Sequence, residues 1–149
     1  MRLVPLEQHH TAWDETEWNR QMREALMMQG YRALHIKEAH ETGVADLMVY
    51  SLVYPQTWTE DNIQTINAWL ELKILTGGTL DSIVRPAQRE FMRDHWSMCR
   101  NALFVTYELK RDMLSVRQGN LRGKVIMLKP DPYWVQWKEV FKQFRDRRV

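Results

Sequence analysis

Three charged side chains lie within apolar, strand-like stretches of this sequence. Asp46 precedes the apolar run 47–50, and Glu71 and Lys73 lie in the otherwise apolar segment 69–74. Side chains alternate between the two faces of a strand, so Glu71 and Lys73 project from the same face. Burying an unpaired charge is costly, so these groups must be paired, hydrated or bound to an ion. Two carboxylates and an ammonium at the end of a sheet predict a site for a hard divalent cation.

The two carboxylates can meet if the strands that carry them form a hairpin. The near-continuous apolar run 45–54 predicts one strand that is buried on both faces, and residues 66–75 predict the next strand. The first strand runs away from Asp46 and the second returns towards Glu71. In an antiparallel pair the two residues therefore lie close together when the registers agree.

The sequence contains a second Glu-Leu-Lys triplet, from Glu108 to Lys110. It ends a predicted strand and continues into the charged pair Arg111 and Asp112, and no Asp-bearing strand precedes it at hairpin distance. We therefore favour Glu71 and Lys73 as the chemically active pair.

The ordered set of Asp46, Glu71-Leu72-Lys73 and Gln88 resembles the motif of the PD-(D/E)xK nuclease superfamily. The closer resemblance is to small stand-alone VRR-NUC domains, often viral, which are related to Holliday-junction resolvases. The likeness covers about residues 17–104, and Ala45 stands where the motif's name has proline. It implies a restriction-endonuclease-like αβββαβ core, in which a central mixed sheet of four to five strands is flanked by helices and followed by a C-terminal helix.

The resemblance also implies roles for these residues in a Mg²⁺-dependent deoxyribonuclease. Asp46, Glu71 and the backbone carbonyl of Leu72 would hold Mg²⁺, for which Mn²⁺ can substitute. Lys73 would orient or deprotonate the attacking water, or stabilise the charged phosphorus centre. Gln88 would orient a water or the Lys73 ammonium, or would be an ordinary glutamine at a helix start. The products would carry 5′-phosphate and 3′-hydroxyl ends.

The first predicted helix can supply another carboxylate. Asp14 and Glu17 have the spacing of a capping box, and Gly30 ends the helix. In the resembled family a first-helix carboxylate often points at the metal, a role that Glu17 or Glu24 could fill. A cap for Glu17 and solvent exposure for Glu24 are the alternatives.

The remaining pattern completes one α+β domain covering residues 1–149. Further strands are predicted at 31–37, 102–109 and 124–129, with hairpin material within 113–128. Pro86 begins a second helix, and Asp131 with Pro132 begins the last one. Aromatic residues spaced three, four and three apart predict a core or dimer-packing stripe on that last helix: Trp134, Trp137, Phe141 and Phe144.

The charge is distributed unevenly along the chain. The net charge is +2, but residues 1–84 carry −6 and residues 85–149 carry +8. An acidic half that supplies carboxylates beside a basic half that can face phosphates favours a nucleic-acid enzyme. The basic residues expected to contact DNA are Arg85, Arg89, Arg93, Lys138, Lys142 and Arg145.

The composition excludes several other classes of protein. The only cysteine is Cys99, so no internal disulfide and no multi-cysteine zinc site can form. Neither a signal peptide nor a membrane span is recognisable, and we expect a bacterial or phage-infected host cytoplasm. The expected partners are DNA, including branched recombination intermediates, and a second copy of the chain, because a junction resolvase must present two sites.

Two other interpretations remain open at this stage. The first is a nucleic-acid-binding or assembly protein that keeps the nuclease fold without catalysis. The basic second half and the aromatic last helix favour it. A third interpretation is an unrelated α+β domain in which the Glu71 and Lys73 spacing is coincidental.

Overall fold

The structure is a computed structural model that describes residues 14–36, 43–52, 64–98 and 101–146. Its strands are β1 (Arg32–His35), β2 (Leu47–Leu52), β3 (Gln64–Leu75), β4 (Ala102–Glu108), β5 (Met113–Gln118) and β6 (Ile126–Leu128). Its α-helices are α1 (Glu15–Met28), α2 (Leu80–Ile83), α3 (Pro86–Ser97) and α4 (Trp137–Asp146). This mixture of one sheet and flanking helices confirms the predicted α+β class.

The six strands lie side by side in chain order, from β1 to β6. Strands β3 and β4 run parallel, and the other neighbouring pairs are antiparallel. Because parallel neighbours need a crossover connection, the chain leaves the sheet after β3 and forms α2 and α3 before returning as β4.

Helix α1 begins and ends where the sequence predicts. The Asp14 carboxylate accepts a hydrogen bond from the Glu17 backbone N–H at 2.8 Å, which caps the first turn. Gly30 follows the helix with φ +90°, a conformation that favours glycine. The predicted apolar stripe, which includes Trp18, Met22 and Leu26, is fully buried.

The central strand β3 contacts a different helix on each face. The Trp69 ring packs edge-on against Phe91 and His95 of α3. Leu72 points the other way and borders a groove with residues of α1. Since side chains alternate along a strand, Glu71 and Lys73 share the α3 face with Trp69.

Several predicted details are wrong. Within the described residues the sheet has six strands instead of four to five, because residues 113–118 and 126–128 form two separate strands. Burial along β2 alternates between buried Leu47 and Val49 and half-buried Met48 and Tyr50, so this strand is not buried on both faces. The short helix α2 was not predicted, since four residues are too few to show a helical repeat.

The C-terminal helix begins later than predicted. Asp131 caps, and Pro132 begins, a 3-10 helix, Pro132–Trp134, and α4 starts three residues further on. That break rotates Trp134 out of the predicted stripe, and its side chain is 61% exposed. Trp137, Phe141 and Phe144 are buried as expected.

No helix among the described residues is both long and apolar enough to cross a lipid bilayer. Cys99 lies outside the described residues.

Candidate metal centre

The register of β2 and β3 brings Asp46 to Glu71. Leu47 pairs with Leu70, so the residue before Leu47 lies opposite the residue after Leu70. The backbone N–H of Ile36, just after β1, donates to the Asp46 carbonyl at 2.9 Å and fixes the Asp46 backbone at the start of the hairpin. The convergence predicted from sequence is therefore present.

The Asp46 side chain replaces a backbone group in the sheet. Its Oδ2 accepts a hydrogen bond from the Leu72 backbone N–H at 2.9 Å. In a continued antiparallel ladder a carbonyl of the neighbouring strand would accept from that N–H. The carboxylate thus lies in the gap where β2 begins, beside the Leu72 peptide that the family resemblance assigns to the metal.

Glu71 has no solvent-exposed surface, and neither of its carboxylate oxygens accepts a hydrogen bond from any described residue. Burial, and then the proximity of the Asp46 carboxylate, raise the pKa of Glu71 well above its usual range. A proton shared between the two carboxylates would supply the missing donor, and so would a cation bound between them. The two carboxylates can therefore bind a proton or a cation between them.

Two cationic side chains lie on the same side of the sheet. The charges of Lys73 and, to a smaller extent, Arg85 oppose the rise in the Glu71 pKa, which places both near its carboxylate. Neither cation is within the 4.0 Å of an ion pair with Glu71. The Arg85 Nη2 atom is buried and has no hydrogen-bond partner among the described residues.

Gln88 has a positioning role at the start of α3. It is buried, and its Oε1 accepts a hydrogen bond from the Arg85 backbone N–H at 3.2 Å. The amide thus closes the first turn of the helix and holds Arg85 at the helix start, which is the ordinary role of a glutamine at that position. The structure shows no hydrogen bond between Gln88 and Lys73.

A groove of about 270 Å³ opens beside Asp46 and Leu72 on the α1 side of the sheet. Its other wall holds polar residues that sequence reasoning did not select: Glu15, Thr16, Asn19, Arg23 and His35. Three of these are spaced four apart, at positions 15, 19 and 23, which places them on one face of α1. That spacing, counted from the Asp14 cap, was the signal that could have identified them.

The two first-helix carboxylates chosen from sequence lie elsewhere. Glu17 and Glu24 both bind Arg20 in an ion-paired cluster, and the Tyr133 hydroxyl donates to Glu24 at 2.7 Å. Neither residue lines the groove at Asp46, whereas Glu15 does. The carboxylate that α1 presents to this groove is therefore Glu15, and neither of the two expected residues, Glu17 and Glu24.

The second Glu-Leu-Lys triplet does not join the site. Glu108 is buried at the end of β4, where its carboxylate lies 3.7 Å from the Arg111 Nε. It lines a different groove, at the carboxyl ends of β3 and β4. The preference for Glu71 and Lys73 over this triplet stays a prediction.

The basic residues fall into separate groups. Arg85 lies beside Glu71, and Arg89 and Arg93 line a third groove further along α3. The residues Lys138, Lys142 and Arg145 are exposed on α4. That helix packs by Phe141 against Tyr31 and Asn101, near the start of β1 and of β4, and not against Asp46.

The described residues contain no group of three or more histidine, cysteine, aspartate or glutamate side chains that could hold a metal ion by themselves. The donors that the structure brings together are the carboxylates of Asp46 and Glu71, which are hard oxygen ligands of the kind that Mg²⁺ accepts while it keeps several waters. The unpartnered Glu71 carboxylate fits such an ion. Neither protein-family models nor curated proteins give a match to this sequence.

Proposed function

We propose that this protein is a metal-dependent nuclease that hydrolyses phosphodiester bonds in DNA. The observation that carries the proposal is the buried Glu71 carboxylate, which has no hydrogen-bond partner and lies beside an Asp46 carboxylate tied to the Leu72 peptide. A fold maintains an unpartnered buried carboxylate only at a free-energy cost, and a bound cation would offset that cost. The resemblance to PD-(D/E)xK nucleases supports the same conclusion.

Asp46, Glu71 and the Leu72 carbonyl would hold Mg²⁺ or Mn²⁺. The ion, when bound, lowers the pKa of a coordinated water and neutralises charge on the scissile phosphate. The Asp46 Oδ2 already accepts from the Leu72 N–H, so that bond fixes the carboxylate before any ligand arrives. Such preorganisation is how a site stabilises charge without rearranging during the reaction.

Lys73 and Arg85 supply positive charge on the α3 face of the same site. Both lie near the Glu71 carboxylate without forming an ion pair to it, and one Arg85 nitrogen has no partner. Donors held in this way can bind the phosphate oxygens, on which negative charge accumulates as the phosphorus centre is attacked. We assign them to stabilising that charge rather than to removing a proton.

A second function, binding of nucleic acid without cleavage, is favoured by one observation. Glu71 has no exposed surface and does not line the Asp46 groove, so its carboxylate is closed to a substrate in this structure. A chain that kept the fold and lost the reaction would still present its arginine-lined surfaces to DNA.

Cleavage of labelled linear and four-way-junction DNA, with Mg²⁺, Mn²⁺ or EDTA, tests the proposal. Asp46→Asn and Lys73→Ala should each lower the cleavage rate at least about 100-fold, because each removes a group that contacts metal or phosphate. Lys110→Ala is the matched control, since it removes the exposed lysine of the second Glu-Leu-Lys and should leave the rate unchanged.

DNA binding in EDTA separates the two functions. Binding that persists while the wild-type protein cleaves with neither metal would favour the binding protein and reject the nuclease. Calorimetric titration with Mn²⁺ gives an independent readout, because binding should be lost in Asp46→Asn and in Glu71→Gln and kept in Lys110→Ala.

A further inference from the structure

The groove that Arg89 and Arg93 line, of about 580 Å³, lies between helix α3 and the turn that joins β5 to β6. We call it the arginine groove. Arg89 and Arg93 line it from α3, and Arg122 lines it from the turn. The other residues that line it are Asp81, Ser97, Gly119, Asn120 and Leu121. Nothing in the sequence motif assigns a role to Arg122.

The arginine groove is joined to the metal centre by the spacing of residues on α3. Arg85, Arg89 and Arg93 are four residues apart and therefore follow one side of the helix. At 1.5 Å per residue the eight residues from first to last span about 12 Å. Arg85 lies near the Glu71 carboxylate, so this row of cations starts at the metal centre and continues into the groove.

The turn that carries Arg122 packs closely against α3. A Cβ placed on Gly119 would lie 2.3 Å from the Met92 carbonyl oxygen, so only glycine allows this approach. The Asn120 side-chain oxygen accepts hydrogen bonds from the Gln118 side chain at 2.8 Å and from the Arg122 backbone N–H at 3.0 Å. The two walls of the groove therefore meet at Gly119, and the hydrogen bonds of Asn120 order the turn beside it.

The arginines of this groove are available to an external anion. Arg89 pairs with Asp81 at 2.9 Å and Arg93 with Asp94 at 3.3 Å, in both cases with exposed partners. Exposed pairs of this kind contribute only about 0–1 kcal/mol. The Arg122 side chain makes no hydrogen bond or ion pair with the described residues. A phosphate, which arginine can bind through two hydrogen bonds, would displace the weak partners.

We propose that the arginine groove binds the phosphate backbone of the nucleic-acid strand that leads away from the metal centre, with Arg122 as its contact on the far wall. The proposal takes its ligand class from the proposed function. The arginine groove and Arg122 are added to the proposed DNA-contacting surface, and the strand lies along α3 and not along α4.

Equilibrium binding of a fluorescently labelled DNA duplex in EDTA, over salt concentrations from about 50 to 200 mM, tests this placement. Arg122→Ala should weaken binding about three- to tenfold and lower the salt dependence by about one phosphate contact. Arg89→Ala combined with Arg93→Ala should act in the same direction and more strongly.

Two further variants make the test specific. Asp81→Asn should strengthen binding, because it removes a carboxylate from the groove and leaves Arg89 without its ion pair, although Arg89 keeps its bond to the backbone carbonyl of residue 81. Lys138→Ala with Lys142→Ala removes two exposed cations of α4, outside the groove, and should change binding less than Arg122→Ala does. Thermal unfolding of each variant establishes that it is folded.

Loss of binding in the α4 double variant, with no effect of Arg122→Ala, would overturn the proposal that the arginine groove binds DNA. So would unchanged affinity in Asp81→Asn together with unchanged affinity in the Arg89 and Arg93 double variant. Because binding is measured in EDTA and cleavage separately, failure of the groove would leave the nuclease proposal standing. If the wild-type protein cleaves no DNA and its binding still depends on Arg122, the nuclease proposal fails and the arginine groove is kept.

Discussion

At the scale of single residues, Glu71 is the most unusual group among the described residues. An ionised carboxylate without exposed surface or hydrogen-bond donor is unfavourable, and the Asp46 charge beside it adds to the cost. The residue therefore links function to stability, because whatever neutralises it also stabilises the fold.

This linkage predicts how stability depends on pH. Burial and Asp46 raise the pKa of Glu71 in the folded state above its unfolded value of about 4.3, so the folded chain retains a proton that the unfolded chain releases. The resulting stabilisation is complete below about pH 4.3 and is lost as the pH rises towards the raised pKa. The slope should be at most about 1.4 kcal/mol per pH unit in metal-free protein.

Urea unfolding in EDTA, at several pH values between 5 and 9, measures this effect as the difference between wild type and Glu71→Gln. The glutamine variant should gain stability relative to wild type as the pH rises. Asp46→Asn should show part of the same gain, since burial, the larger cause of the shift, remains. A difference that does not change with pH would contradict the raised pKa.

At the scale of elements, the approach of the segment before β2 to helix α3 positions the site. Gly43 has φ +77°, and a Cβ there would lie 2.7 Å from both the carbonyl carbon and the Cβ of Ala87. This contact holds the segment before β2, which carries Asp46, against the start of α3, where Arg85 and Gln88 lie. The two parts of the candidate site therefore meet at a glycine whose side chain has no functional group.

Gly43→Ala should lower the free energy of unfolding by about 2–4 kcal/mol, since it combines backbone strain with overpacking against Ala87. Cleavage should fall as well, because Asp46 is displaced from Arg85. Gly30→Ala is the matched control: its φ is +90°, but a Cβ there meets nothing within 4 Å.

Gly30→Ala should therefore lower the free energy of unfolding only by the backbone strain, about 1–2 kcal/mol, and leave the cleavage rate unchanged. Chemical denaturation and the cleavage assay check both changes. Equal losses of stability and activity in the two variants would contradict a positioning role for Gly43.

At the scale of the whole molecule, the two grooves lie on different sides of the sheet, and Glu71, Lys73 and Arg85 lie on the α3 side with the arginine groove. The Asp46 groove opens on the α1 face, and the arginine groove lies beside α3 on the other side. The acidic first half of the chain supplies Asp46 and Glu71, and the basic second half supplies the arginines of α3 and of the β5–β6 turn. The uneven charge along the sequence thus corresponds to separate acidic and basic regions in the structure.

Action on four-way junctions would require two such molecules, because a junction is resolved by cuts in two strands. We therefore expect a homodimer in light scattering and paired cuts in junction DNA. A strict monomer at assay concentrations would reject junction resolution while leaving cleavage of simpler DNA unaffected.

Local pattern was sufficient to predict much of this protein. The Asp14 cap, the stripe on α1 and the strands that carry Asp46 and Glu71 follow from short-range periodicity and turn chemistry, which act between residues close in the chain. The hairpin between those strands is local as well, so the meeting of the two carboxylates could be expected from sequence. The strand count and the start of α4 were wrong because short elements and a proline-initiated turn leave little periodic signal.

What only the tertiary structure decided concerns residues that are distant in the chain. The sequence did not show that α1 faces the site with Glu15 and not Glu17 or Glu24, that Gln88 holds Arg85, or that Arg122 stands opposite Arg89. Each depends on the rotation of a helix or the docking of a turn, which packing across the whole core determines. The sequence by itself determined which groups could do chemistry, and long-range packing decided which of them meet.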